Sequence, residues 1–191
     1  NKHGALGHGD NVPQTDPRLV RRIKGKSIAK ILAGEDRSVA IDEFGGLYQW
    51  GMSFTSLPEL HPYFSGKSKS SKGQKIAIAK VVFQAYRQPN SYAHGGGDFF
   101  KNKPVGYVST EGQAFIWCGA ASLFPPAEEF KPELITVPSD PVIDMAIGTD
   151  AIAFLTTKGE VWTAGSNADG ELGTGIGAMK CEMPRAAYRK E

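Results

Sequence analysis

The chain has 191 residues, 40% of them apolar, with 22 Lys and Arg against 20 Asp and Glu for a net charge of +2. That size supports one domain or two small ones, and the apolar share excludes a disordered chain. The charge balance gives no signature of a nucleic-acid or membrane-surface binder, no apolar run approaches the ~18 residues of a membrane-spanning helix, and two cysteines exclude a disulfide framework or a four-cysteine zinc site.

Gly and Pro together supply 35 of the 191 residues, about half again their usual ~12% share. Frequent turns between short apolar runs predict an all-β protein. The chain opens on Asn1 with no Met, signal peptide or transit peptide. No Asn-x-Ser/Thr sequon occurs, so an intracellular location is the expectation.

In chain order, Gly4, Leu6, Gly7 and Gly9 form a glycine-rich turn, followed by Pro17 and Arg18. Arg18, Arg21, Arg22, Lys24, Lys26 and Lys30 crowd the next stretch. Residues 28–34 read as a strand ending in Gly, and 38–51 as a hairpin turning at Gly45 and ending at Trp50. Residues 65–75 hold four lysines and no apolar residue, which predicts a mobile loop. Residues 76–83 read as another strand. The stretch 93–104, carrying Phe99, Phe100 and Lys101, interrupts the pattern before a second hairpin at 105–119, with Gly112 and Trp117. Residues 124–130 contain a diproline connector. A strand at 142–148 and a third hairpin at 151–165, with Gly159 and Trp162, lead to a closing turn with Gly170, Leu172 and Gly173.

These elements repeat. Asn1, Gly4, Leu6, Gly7 and Gly9 recur as Asn167, Gly170, Leu172, Gly173 and Gly175, all offset by 166. Tyr48, Phe115 and Trp162 share one phase of the hairpins, and Trp50 and Trp117 share another with Ala164. Approximate repeats fall at 1–52, 53–119 and 120–166, with a partial one at 167–191. Each offers three strands and a connection with room for a fourth, the pattern of a β-propeller blade. The glycines are expected to supply positive-φ positions, Leu6 and Leu172 to pack between blades, and the shared aromatics to form core.

The combination of a Gly-x-Leu-Gly-x-Gly turn, a Pro-x-x-Val step, an apolar run ending in Gly and a hairpin ending in Trp-x-Gly or Trp-Gly resembles the RCC1 (regulator of chromosome condensation) repeat family. The resemblance covers nearly the whole chain. It implies an RCC1-like β-propeller, of which about three blades and part of a fourth are present, near half of a seven-bladed ring. An open blade edge is a liability for pairing, so the remaining blades are expected from a longer chain or a second one. The middle repeat departs from the pattern: 52–75 lacks the glycine motif, and its hairpin carries the 93–104 insertion.

No catalytic constellation emerges. His3, His8, His61 and His94 have no metal-ligand spacing, and no cofactor or metal is implied. Ser65, Gly66, Lys67 and Ser68 lack the upstream glycine of a phosphate-binding loop, since His61 stands there. Cys118 and Cys181 have no activating partner in view. The reading is a non-catalytic interaction scaffold within a larger assembly. Its candidate contacts are Arg18, Arg21, Arg22, Lys24 and Lys26, which suit an acidic partner, and Phe99, Phe100 and Lys101 at a hairpin tip. The resemblance implies as an alternative guanine-nucleotide exchange on a Ran-type small GTPase. A second alternative is association with RNA or ribonucleoprotein in an organelle. No membrane insertion is implied.

Overall fold

The computed structural model describes residues 1, 3–34, 36–52, 55–66, 76–84, 104–117, 132–138, 140–149 and 151–175, and the backbone of Lys180–Ala186. The described residues form three antiparallel four-stranded sheets. The first sheet holds β1 (Ile28–Ala33), β2 (Arg37–Asp42), β3 (Gly46–Gly51) and β4 (Glu59–Ser65) in sequential order. The second holds β5 (Ile78–Phe83), β6 (Val105–Ser109), β7 (Ala114–Trp117) and β8 (Glu133–Ile135). The third holds β9 (Val142–Ile147), β10 (Ala151–Thr156), β11 (Val161–Ser166) and β12 (Lys180–Ala186). The described residues divide into two compact units, one running to Val81 and the other starting at Val82.

The three hairpins have the same turn chemistry. Gly45, Gly112 and Gly159 take φ of 78°, 79° and 77°, the left-handed region where a Cβ is penalised. Each donates its N–H back three residues, to the carbonyl of Asp42, Ser109 or Thr156, at 3.0, 3.1 and 3.0 Å. The side chains at those positions cap the turns. Asp42 Oδ1 accepts from the Phe44 and Gly46 N–H groups, Ser109 Oγ from Glu111 and Gln113, and Thr156 Oγ1 from Glu160. Burial, with the Asp42 carboxylate beside it, raises the Tyr48 phenol above its ordinary pKa.

The turns also bind the next sheet. Gly45 carbonyl accepts from Ile78 N–H at 2.9 Å, and Gly112 carbonyl from Val142 N–H at 2.9 Å. These close approaches leave no room for a side chain: a Cβ on Gly45 would lie 2.6 Å from Ala77 Cβ, and one on Gly112 would collide with Pro141.

Alternation along the strands builds the core. Val108, Ala114 and Ile116 of β6 and β7 pack with Val142, Met145, Ile147, Ile152, Phe154 and Ala164 of the third sheet. Met145 lies directly over Gly106, where a Cβ would meet its Sδ at 2.7 Å, so glycine in this strand marks a close approach. In the first sheet Ala40, Tyr48 and Trp50 are buried with Ile23 and Ile28 against them. Burying side chains of this size contributes about 1.5–3 kcal/mol each, so these faces dominate the stability of the sheets.

Candidate protein-interaction surface

The two copies of the glycine-rich turn fold alike. Leu6 N–H donates to Asn1 Oδ1 at 2.9 Å, and Leu172 N–H to Asn167 Oδ1 at 3.0 Å. Gly4, Gly7 and Gly9 take φ of 72°, 74° and 87°, matched by 83°, 61° and 66° at Gly170, Gly173 and Gly175. The first copy is wedged against its neighbours. A Cβ on Gly4 would lie 2.5 Å from Ser56 Cβ, and one on Gly7 would lie 2.9 Å from Trp50 Nε1. Trp50 Nε1–H and the Ser38 hydroxyl both donate to the Ala5 carbonyl, at 2.7 and 2.9 Å.

The two leucines differ, which corrects one expectation. Leu172 is 1% exposed, and its carbonyl accepts from Thr163 Oγ1 of β11 at 2.7 Å. Leu6 is 38% exposed and is not packed between blades. Leu172 follows a strand of its own sheet and is held against it. Among the described residues no equivalent strand stands beside Leu6. Trp50 and Trp117 are each 6% exposed, Phe115 is buried, and Trp162 is half-buried with its Nε1–H on Glu160 Oε2 at 3.2 Å.

Arg18, Arg21, Arg22, Lys24 and Lys26 are all exposed, and none makes an ion pair among the described residues. A single 3-10 turn, Arg21–Ile23, shapes the segment. Ile23 turns inward onto Ala40, Tyr48 and Trp50, and Val20 reaches the Gly7 turn. Farther on, Ser27 carbonyl accepts from Glu43 N–H at 2.9 Å. The backbone is therefore fixed from both sides while the bases between face solvent. Lys30 stands apart, its Nζ donating to the Ala79 carbonyl at 2.7 Å. Phe99, Phe100, Lys101, Cys118 and the 124–130 connector lie outside the described residues.

The 65–75 stretch does not begin as a loop. Ser65 ends β4 and is buried, pairing with Gly46, and Gly66 N–H donates to the Ile76 carbonyl at 3.3 Å. Residues 67–75 lie outside the described residues. His61, in the same strand, is 1% exposed, and its Nδ1 accepts from the Tyr63 and Phe64 N–H groups at 3.0 and 3.2 Å. Arg37 and Asp36 form a buried ion pair, Nε to Oδ1 at 3.1 Å. Sequence reasoning missed both, because burial cannot be read from composition, and for His61 the polar make-up of 59–65 also hid the strand. Among the described residues no group of three or more His, Cys, Asp or Glu side chains is placed to hold a metal ion, and no helix is long and apolar enough to cross a membrane.

No family model matches the chain. The serine/threonine-protein kinase Nek9 of Xenopus laevis is 26% identical over 186 residues, covering 90% of this chain and 17% of the relative. The RCC1 domain-containing protein 1 of Mus musculus is 27% identical over 181 residues, covering 90% of this chain and 39% of the relative. Human WBSCR16 superposes with a TM-score of 0.59 at 18% identity, covering 97% of this chain and 45% of that one. Prp20p, the RCC1 of Saccharomyces cerevisiae, superposes at 0.58 and 13% identity, covering 97% and 44%. The chain is similar to RCC1-repeat proteins and shares their fold. It spans less than half the length of these RCC1-type relatives and structures.

Proposed function

We propose that this RCC1-repeat chain is a non-catalytic protein-interaction scaffold that docks an acidic protein surface on its 18–26 segment. The observation that carries the reading is the set of five exposed bases on a backbone pinned by Val20, Ile23 and Ser27. A pinned segment loses little conformational entropy on binding, and arginine forks suit carboxylates. The matching third-repeat stretch, residues 133–141, contains no base, so the repeat itself does not require the charge. The test is affinity capture with the chain and with its Arg21→Glu/Arg22→Glu variant. Specific protein partners retained by the first and lost by the second, with salt-sensitive binding, support the reading. Capture of the same partners by both refutes it, and capture of RNA alone replaces the partner class.

A second reading is guanine-nucleotide exchange on a Ran-type small GTPase. It is favoured by the likeness to Prp20p, whose solved structure was studied with its binding to Gsp1p and histones. Fold likeness is an analogy, so this reading stands second. Faster release of a fluorescent GDP analogue from a Ran-type GTPase supports it, and an unchanged rate at micromolar protein removes it.

A further inference from the structure

The first and third sheets share one ladder. Ile28 pairs with Asp42 as Val142 pairs with Thr156. Ser27 carbonyl accepts from Glu43 N–H at 2.9 Å, as Pro141 carbonyl accepts from Thr157 N–H at 3.0 Å. One residue beyond that bond stand Lys26 and Phe44 in the first sheet, and Asp140 and Lys158 in the third. The third sheet shows how close these two positions lie, because Lys158 Nζ meets Asp140 Oδ2 at 2.8 Å. That pair neutralises itself.

The first sheet puts an ammonium and an aromatic ring in the same two places. Lys26 is exposed, and Phe44 is 58% exposed at the apex of the β2–β3 turn. Among the described residues Lys26 makes no ion pair and the Phe44 ring meets no other ring. The opening belongs to the position. The Lys158 and Asp140 side chains stay 68% and 26% exposed although the Gly112 turn packs on the adjacent Pro141. Glu111, which holds the place of Phe44 in the second sheet's turn, is exposed as well. Glutamate and lysine serve at the other two apices, so the turn does not call for phenylalanine. An aromatic ring left in water beside uncompensated bases is the composition of a binding anchor.

We infer that Lys26 and Phe44 form a two-part subsite for an acidic protein segment that carries an apolar side chain. This rests on the docking reading of residues 18–26 and names the chemistry of its partner. Carboxylates of the segment lie on Lys26 and the bases before it, and its apolar group covers the Phe44 ring. Asp42 is already engaged with the Phe44 and Gly46 N–H groups, while Glu43 is exposed beside Phe44. Those two carboxylates repel further negative charge at the apex and leave that place to an apolar group. The same repulsion disfavours a polyphosphate backbone crossing the ring.

The test measures binding of two labelled peptides to the 191-residue chain by fluorescence anisotropy at low ionic strength. One is octaglutamate, and the other has its two central residues replaced by leucine. The leucine peptide is expected to bind about tenfold tighter despite its smaller charge. Phe44→Gln removes that preference and leaves octaglutamate binding within about twofold, whereas Lys26→Gln weakens both peptides roughly threefold. Equal affinities for the two peptides, a preference that survives Phe44→Gln, or unchanged binding in Lys26→Gln overturns the inference while the docking reading stands. Binding of neither peptide refutes the docking reading itself and this inference with it. Tighter binding of a labelled octauridylate than of the leucine peptide, lost in Phe44→Gln, overturns it in favour of a nucleic acid.

Discussion

Replacing His61 with Asn tests how this fold responds to acid. His61 is 1% exposed and uses Nδ1 as an acceptor for two backbone N–H groups, with the Phe64 ring 4.8 Å from its own. Adding a proton to Nδ1 turns an acceptor into a donor facing two donors. Burial disfavours the charge as well and lowers the pKa from 6.5 to about 3. The folded chain therefore keeps His61 neutral while the unfolded chain takes up a proton below about pH 6.5. Stability is lost as pH falls from that value, and the loss levels off below the folded pKa near 3. A separation of three to four pKa units at about 1.4 kcal/mol each sets a ceiling of about 5 kcal/mol. Between pH 7 and pH 5 the share is about 2 kcal/mol. Asn keeps an acceptor oxygen in place of Nδ1 and does not titrate. Urea midpoints followed by tryptophan fluorescence at pH 7, 6 and 5 give both pH slopes. The wild-type chain is expected to lose about 2 kcal/mol more than His61→Asn over that range, whatever constant packing loss the variant carries. Equal slopes refute the assignment of a buried, neutral acceptor.

Two further predictions concern the repeat geometry. Gly112→Ala and Gly159→Ala impose the same backbone penalty, about 1 kcal/mol, at nearly equal φ. Only Gly112 also faces Pro141, whereas a Cβ on Gly159 meets nothing within 4 Å among the described residues. Thermal midpoints should therefore fall further for Gly112→Ala, by the equivalent of at least another ~1 kcal/mol; similar midpoints would refute the close approach. Thr163→Val keeps the side-chain shape but deletes the bond to the Leu172 carbonyl. It should cost about 1–3 kcal/mol, since a buried carbonyl loses its partner, and hydrogen exchange should speed up at Leu172. An unchanged urea midpoint would count against that bond holding the glycine-rich turn.

Much of the architecture is written locally. Hairpin positions follow from alternating apolar residues on either side of a glycine, and the glycine is required because the third turn residue takes positive φ. The capping residues Asp42, Ser109 and Thr156 act within four positions of themselves, so sequence alone places them. The Asn-to-Leu bond closing each glycine-rich turn spans five residues, and the 166-residue offset predicts two copies of one shape. The basic character of residues 18–26 is equally plain. That Ile23 and Val20 anchor the segment while its five bases stay exposed is not, because the anchor points lie on β2, β3 and the Gly7 turn. The outer strand at 59–65 was hidden by its own sequence, since proline, histidine and serine mask an edge strand whose hydrogen bonds run to one side only.

Sequence by itself determined the β class, the hairpin turns and the repeat, because each depends on short-range backbone chemistry that the chain carries wherever it goes. Tertiary structure alone decided which copies of the repeat are buried. Leu6 and Leu172 share one turn and one hydrogen bond, and Ile31 and Met145 share one register, yet one of each pair is exposed and the other enclosed. Burial is a property of the sheet that stands opposite, and no residue encodes its neighbour.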